Sequence, residues 1–267
     1  MTDPAGSALA PDYGLDAPGV VRNLFLAGGA GLSVALLKLL GIWSGLVAIG
    51  PIAGVQLLFP LASIGLWSGM GCSAMGLWMI WTSKVSKIRE RERLLDHIRW
   101  TGHERVLDVG CGRGLMLIGA AKRLTDGKAV GIDIWQAEDL SGNRPESTLD
   151  NARRERVADR VEVQTADMRR LPFPGDTFDV AVSSAAIHNL YSADDRAKAI
   201  AEIASVLKPG GRAVIDDIRH HTEYAATFAK HGCGDTHTVS SRATMLLLAV
   251  ITMASLRPAT LLVRKAS

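Results

Sequence analysis

The sequence predicts an α/β chain. A doubly wound, mostly parallel sheet fills its last two thirds, and an α-helical transmembrane hairpin precedes it. Three observations carry this. From Arg105 to Asp217 short β-branched apolar runs alternate with helical stretches, the repetition that builds a parallel sheet covered on both faces. The first of these runs, Val106–Val109, opens into a turn with glycine at 110, 112 and 114. Between Asn23 and Ser83 the only charged residue is Lys38, and one membrane crossing takes about 20 apolar residues.

Taken in order, residues 1–22 read as a mobile tail: Pro4, Pro11 and Pro18 interrupt it, and residues 1–19 hold no Lys or Arg to start a signal peptide. The apolar run 23–83 follows as a hairpin, with helices near 23–43 and 57–81 and a short apolar connection around Gly41–Pro51. Charge decides the number of crossings. Arg22 precedes the run, Lys84, Lys87, Arg89, Arg91 and Arg93 follow it, and the break between the helices has no charge. Cations at both ends place both on the cytoplasmic side, which requires an even number of crossings. Lys38 then snorkels outward near the far end of the first helix. Residues 84–100 form a basic amphipathic helix that lies along anionic headgroups and connects to the domain 101–267.

That domain reads as strands at 105–109, 128–134, 161–167, 178–184 and 212–217, with helices at 115–123, 144–157 and 194–207 between them. Near the end, 233–241 is a weaker strand and 259–265 a better one, and an apolar insertion at about 243–257 is too short to span a bilayer. Cys72, Cys111 and Cys233 make no CxxC pair, which fits a reducing compartment. Lys and Arg number 30 against 27 Asp and Glu, too small an excess to argue for nucleic acid as a partner.

The glycine turn carries the chemistry. Positive φ and close approach of a ligand to bare backbone both demand glycine, and the following helix offers free N–H groups to an anion. A dinucleotide fingerprint needs glycine three residues after the second, but 115 and 117 are both leucine. What stands is an apolar pair, Asp108, Val109, then Gly110-Cys111-Gly112-Arg113-Gly114. On its own it also describes a glycine turn without a ligand. It resembles motif I of the class I methyltransferases that use S-adenosylmethionine (SAM). Acids at strand ends extend the pattern. Asp133 is placed to accept hydrogen bonds from a ribose diol. Asp167 is placed to meet an adenine amino group, with Met168 and Ile134 against the ring. Ser184 ends the fourth strand.

With Leu171-Pro172-Phe173, Asp176–Val180 and Val206–Gly211, these residues resemble the UbiE-type branch of that family from about Leu94 to Ile218. The resemblance implies a Rossmann-like fold, SAM as cofactor, and SAM contacts from Asp108, Gly110, Cys111, Gly112, Gly114, Asp133, Ile134, Asp167, Met168 and Ser184. His188 and Tyr191, after the fourth strand, face the acceptor in this reading, with His188 able to take or orient a proton; a hydrogen-bonded structural histidine at 188 is the alternative. Asp216, Asp217, His220 and His221 could invite a metal, but neighbouring histidines share one ion poorly, and no metal is expected.

Together these readings describe a methyltransferase integral to a bacterial-type inner membrane, its catalytic domain cytoplasmic. It moves a methyl group to a lipophilic acceptor, a quinone or other isoprenoid or a lipid headgroup, and the hairpin also allows homo-oligomers. Two rivals stay open: a tethered enzyme acting on a small soluble or protein substrate, and a catalytically silent SAM-binding regulator.

Overall fold

The computed structural model describes residues 10–52, 55–239 and 257–267. The chain forms two compact units. One is Gly14–Ser86 with Glu138–Ser141; the other takes the residues up to Tyr13, Lys87–Ala137 and Gly142 onward.

In the smaller unit α1 (Pro18–Leu39) and α2 (Leu61–Trp81) pack against each other. They approach closely because glycines meet: a Cβ on Gly31 would lie 2.5 Å from the Gly65 carbonyl oxygen, and one on Gly65 2.7 Å from the Gly31 oxygen. Small residues on the facing sides of two helices let their backbones approach this closely. Two strands, β1 (Val47–Ile52) and β2 (Val55–Phe59), join them as an antiparallel hairpin, Val47 opposite Phe59. The connection expected near 41–51 is therefore a paired ribbon, and α2 starts at Leu61 because 55–59 is spent on a strand. Pairing satisfies peptide groups that an apolar segment cannot satisfy with its side chains. The first helix begins earlier than 23 because Pro18 suits the first helical position.

By length and composition one helix among the described residues, α1, is long and apolar enough to cross a membrane. Only 11 % of its most apolar window is buried. Of the large apolar side chains exposed anywhere in the described residues, all except Ile88, Ile134 and Tyr191 lie between Val20 and Val85.

The larger unit opens with residues that the sequence reading placed in a mobile tail. Tyr13 is buried, its hydroxyl bonded to Glu155 and Arg91. The connecting helix expected over 84–100 is shorter: a π turn at Thr82–Ser86, then α3 (Lys87–Leu95). Leu94, Leu95 and Ile98 seat it in the core.

The sheet follows: β3 (Arg105–Val109), α4 (Leu115–Ala121), β4 (Lys128–Asp133), α5 (Pro145–Arg154), β5 (Val161–Thr165), β6 (Phe178–Ser184), α6 (Ala193–Val206), β7 (Leu207–Asp217), α7 (His221–Lys230), β8 (Asp235–Val239) and β9 (Ala259–Arg264). Strand order is β5-β4-β3-β6-β7-β9-β8. The first five are parallel; β9 runs antiparallel to both β7 and β8. The apolar insertion lies outside the described residues except for Arg257. Apolar side chains on the two faces of the sheet form two cores, one around Phe178, Tyr224 and Phe228, the other around Leu95, Leu117 and Ile118. Each such side chain contributes roughly 1.5–3 kcal/mol on burial. The order reverses at β3, so the crevice at the carboxyl ends of β3 and β6 is where such a sheet takes a ligand.

Candidate active site

The glycine turn leaves β3 at that crevice. Gly110, Gly112 and Gly114 all have positive φ. The Gly110 and Cys111 N–H groups both donate to the Ile132 carbonyl at 2.9 Å, which ties the turn to β4. A Cβ on Gly110 would stand 2.4 Å from the Ala186 Cβ. Gly110→Ala meets both a forbidden φ and a clash, and is expected to destabilise the fold by more than about 2 kcal/mol. A denaturant melt with the mutant midpoint unshifted would refute this.

Asp108, one residue before the end of β3, is 1 % exposed, and neither carboxylate oxygen has a hydrogen-bond partner among the described residues. Burial is the largest cause pushing its carboxyl up to about 8; the Leu117 backbone N–H pulls the other way, and the charge of Asp133 adds a smaller upward push. A buried acid without a partner is costly. Its position suits a ligand that brings a cation.

Asp133 ends β4 and is held by three donors: Gly112 N at 2.8 Å, Trp135 N at 2.6 Å and Asn143 Nδ2 at 3.2 Å. A carboxylate has about four lone-pair positions, so one remains for a hydroxyl. Asn143, absent from the residues picked out by sequence, presents beside this carboxylate a buried Oδ1 with no hydrogen-bond partner among the described residues. A cation acceptor at Asp108 and hydroxyl acceptors at Asp133 and Asn143 flank one turn. This is an acceptor set of the kind that an ammonium and a ribose diol would fill.

The other expected contacts are placed as follows. Cys111 is buried in the turn, and burial raises its thiol well above the usual range. Ile134 is 48 % exposed, just past β4. The Met168 methyl lies 3.6 Å from where a Gly110 Cβ would be. Asp167 is clamped by the Arg169 guanidinium, with Nη2 at 2.6 Å, and that partner holds its carboxyl low. Ser184 points to Asp216 Oδ2 at 3.4 Å, and burial pushes Asp216 up to about 6.

His188 sits on a short 3-10 turn, Ile187–Asn189, beyond β6. Its Nδ1 is 2.5 Å from Asp217 Oδ1, and its backbone N–H donates to Asp217 Oδ2 at 3.0 Å. Asp217 is buried and also accepts from the Tyr224 hydroxyl at 3.1 Å. A proton on Nδ1 leaves the Nε2 lone pair as the basic position. Tyr191 is not brought to this group; its side chain is wholly exposed. Nor do Asp216, Asp217, His220 and His221 assemble as ligands: His221 Nε2 bonds the Asp217 carbonyl, and no metal-binding group occurs among the described residues.

A mostly parallel sheet of this order, with a glycine turn and strand-end acids at its crevice, is the Rossmann-like fold shared by class I methyltransferases. Residues 106–211 match the methyltransferase domain family (Methyltransf_25). Over 128 residues the chain is 34% identical to a ubiquinone/menaquinone biosynthesis C-methyltransferase of Geobacter sulfurreducens, covering 48% of this chain and 46% of the relative. The chain thus spans about half the length of the curated relatives it matches. Among solved structures, geranyl diphosphate C-methyltransferase from Streptomyces coelicolor, in complex with S-adenosylhomocysteine (SAH), shares the fold with TM-score 0.51 at 18% identity, over 67% of this chain and 78% of that one. The [4+2]-cyclase SpnF does so with TM-score 0.53 at 22%, over 67% and 80%.

Proposed function

We propose that this chain is a membrane-anchored SAM-dependent methyltransferase acting on a lipophilic acceptor at the cytoplasmic face. The observation that carries the anchor is the concentration of exposed Leu, Ile, Phe and Trp side chains between Val20 and Val85, far more than a soluble surface tolerates. α1 qualifies as one crossing by length and composition, and its glycine packing against α2 with the cations on either side of 23–83 supports a second, with both ends cytoplasmic. An enzyme held at a bilayer gains most when its acceptor is also there, and the Geobacter relative is named for ubiquinone/menaquinone synthesis. A quinone or other isoprenoid, or a lipid headgroup, fits.

When bound, SAM supplies an activated sulfonium methyl. The chain's part is to hold the donor and align the acceptor. Asp108 would hold the ammonium, Asp133 and Asn143 the ribose, and Ile134, Met168 and Asp167 the adenine. His188, oriented by Asp217, accepts the acceptor's proton. The test is an incubation of the full chain in lipid vesicles with methyl-labelled SAM and a membrane lipid extract. Label is expected in one lipid-soluble product. Label confined to protein or water-soluble molecules would leave a tethered enzyme of another substrate class, and SAM bound without transfer would leave the silent regulator.

A further inference from the structure

Two polar side chains of α5 are buried against the glycine turn although neither belongs to the SAM contacts above. Thr148 Oγ1 donates to the Gly112 carbonyl at 2.6 Å, and Asn151 Nδ2 to the Arg113 carbonyl at 3.0 Å. They hold the peptide planes of a segment that glycine leaves loose.

Asn151 has a second set of partners in the same unit. Its Nδ2 also donates to the Asp12 carbonyl at 2.9 Å, and its Oδ1 accepts from the Asp12 N–H at 2.9 Å. Arg113 Nη2, from within the turn, reaches the Asp12 carboxylate at 3.0 Å. The segment is fastened on either side as well. Arg154 Nη1 donates to the Ala10 carbonyl at 3.0 Å and Lys87 Nζ to the Tyr13 carbonyl at 3.2 Å. The Tyr13 hydroxyl bonds Glu155 and accepts from Arg91 Nη1 at 3.0 Å, and Arg91 is itself 2 % exposed. A peptide strand that merely lay on the surface would not bury a tyrosine against an arginine and a glutamate.

We propose that residues 10–13 are a strap that sets the geometry of the donor turn, with Asn151 the positioning residue that couples the two. The strap orders Gly112 and Arg113 before the donor arrives, so the donor does not bear that ordering cost. Coupling of this kind is reciprocal: if the strap favours donor binding, the donor holds the strap by the same factor. The proposal rests on SAM as donor. It makes donor affinity answer to a segment that lies four residues ahead of α1 in the chain, outside the strand-and-turn machinery that binds the donor directly.

The full chain in detergent micelles is titrated calorimetrically with SAH, and amide exchange is followed at Ala10, Asp12 and Tyr13. Asn151→Ala is expected to weaken SAH about tenfold, and Tyr13→Phe, which keeps the ring but loses its hydroxyl contacts, about threefold. SAH is expected to slow exchange at the strap in the unmodified protein and to lose that effect in Asn151→Ala. A residue with only a structural role would lower the melting temperature and leave the SAH-dependent exchange untouched. Should Asn151→Ala fail to fold, Tyr13→Phe and the exchange measurement on the unmodified chain decide the matter. Unchanged SAH affinity in the variants, or strap exchange indifferent to SAH, overturns the strap. An unmodified chain that does not bind SAH overturns the donor reading itself, a different result.

Discussion

Asp108→Asn is expected to abolish SAM and SAH binding while making the ligand-free protein more stable, two effects of opposite sign from one carboxylate. The acid is buried with no partner among the described residues and titrates near 8, against an ordinary value of 3.8. Between those two pH values the folded ligand-free chain holds a proton that the unfolded chain has released. Stability therefore falls as pH rises through that window, by about 1.4 kcal/mol per unit as an upper figure, and levels off above it. Asparagine cannot ionise. The variant's advantage should be absent near pH 4, grow to about pH 8 and then stay flat, read as the difference in melting temperature across a pH series. Binding works in the other direction. A donor ammonium beside Asp108 favours the carboxylate, so below pH 8 binding to the unmodified protein releases a proton, visible as a buffer-dependent binding enthalpy. A variant that still bound SAH, or whose stability tracked the parent at every pH, would remove Asp108 from the donor site.

The glycine turn was legible in the sequence because its demands are local. Positive φ at 110, 112 and 114 admits glycine and little else, and an acid closing an apolar β-branched run needs only a few consecutive residues to be seen. Asp108, Asp133 and Ser184 stand at neighbouring strand ends because parallel register puts successive strand ends on one side of the sheet. What stayed hidden is non-local. Asp217 reads in sequence as one of four metal-like groups with His220 and His221, yet its partner is His188, 29 residues away. Asn151 looks like an ordinary polar position on an amphipathic helix until Asp12, 139 residues off, is brought to it. Tyr13 lies among prolines, glycines and acids with no periodicity, and its burial depends on Arg91 and Glu155 from two other elements. The β1–β2 ribbon escaped for another reason: residues 47–59 are apolar at almost every position, and without alternation nothing distinguishes a strand from a helix or a linker. The reversed direction of β9 is a property of chain connection rather than of composition, and its six residues carry no mark of it.

His188→Ala is expected to lower kcat by about 10²–10⁴-fold while leaving SAH affinity nearly unchanged. The histidine lies beyond β6, and Asp217 fixes both its ring and its backbone N–H, so its Nε2 is aimed by a buried group instead of by solvent. Such an arrangement has work to do only when the acceptor must lose a proton as the methyl arrives, as a hydroxyl or a carbon acid does. A neutral amine attacks with its own lone pair and sheds the proton afterwards. The loss in His188→Ala should accordingly shrink as pH rises and more of the acceptor is already ionised. Asp217→Asn should lower kcat in the same direction, since a carboxamide that donates to Nδ1 would put the ring's proton on Nε2, where it cannot act as a base. Single-turnover rates with the labelled lipid product separate these effects from donor binding. Wild-type turnover in His188→Ala would mean that the acceptor is an amine or enters already ionised, and the His188–Asp217 pair would then be a support for the loop after β6.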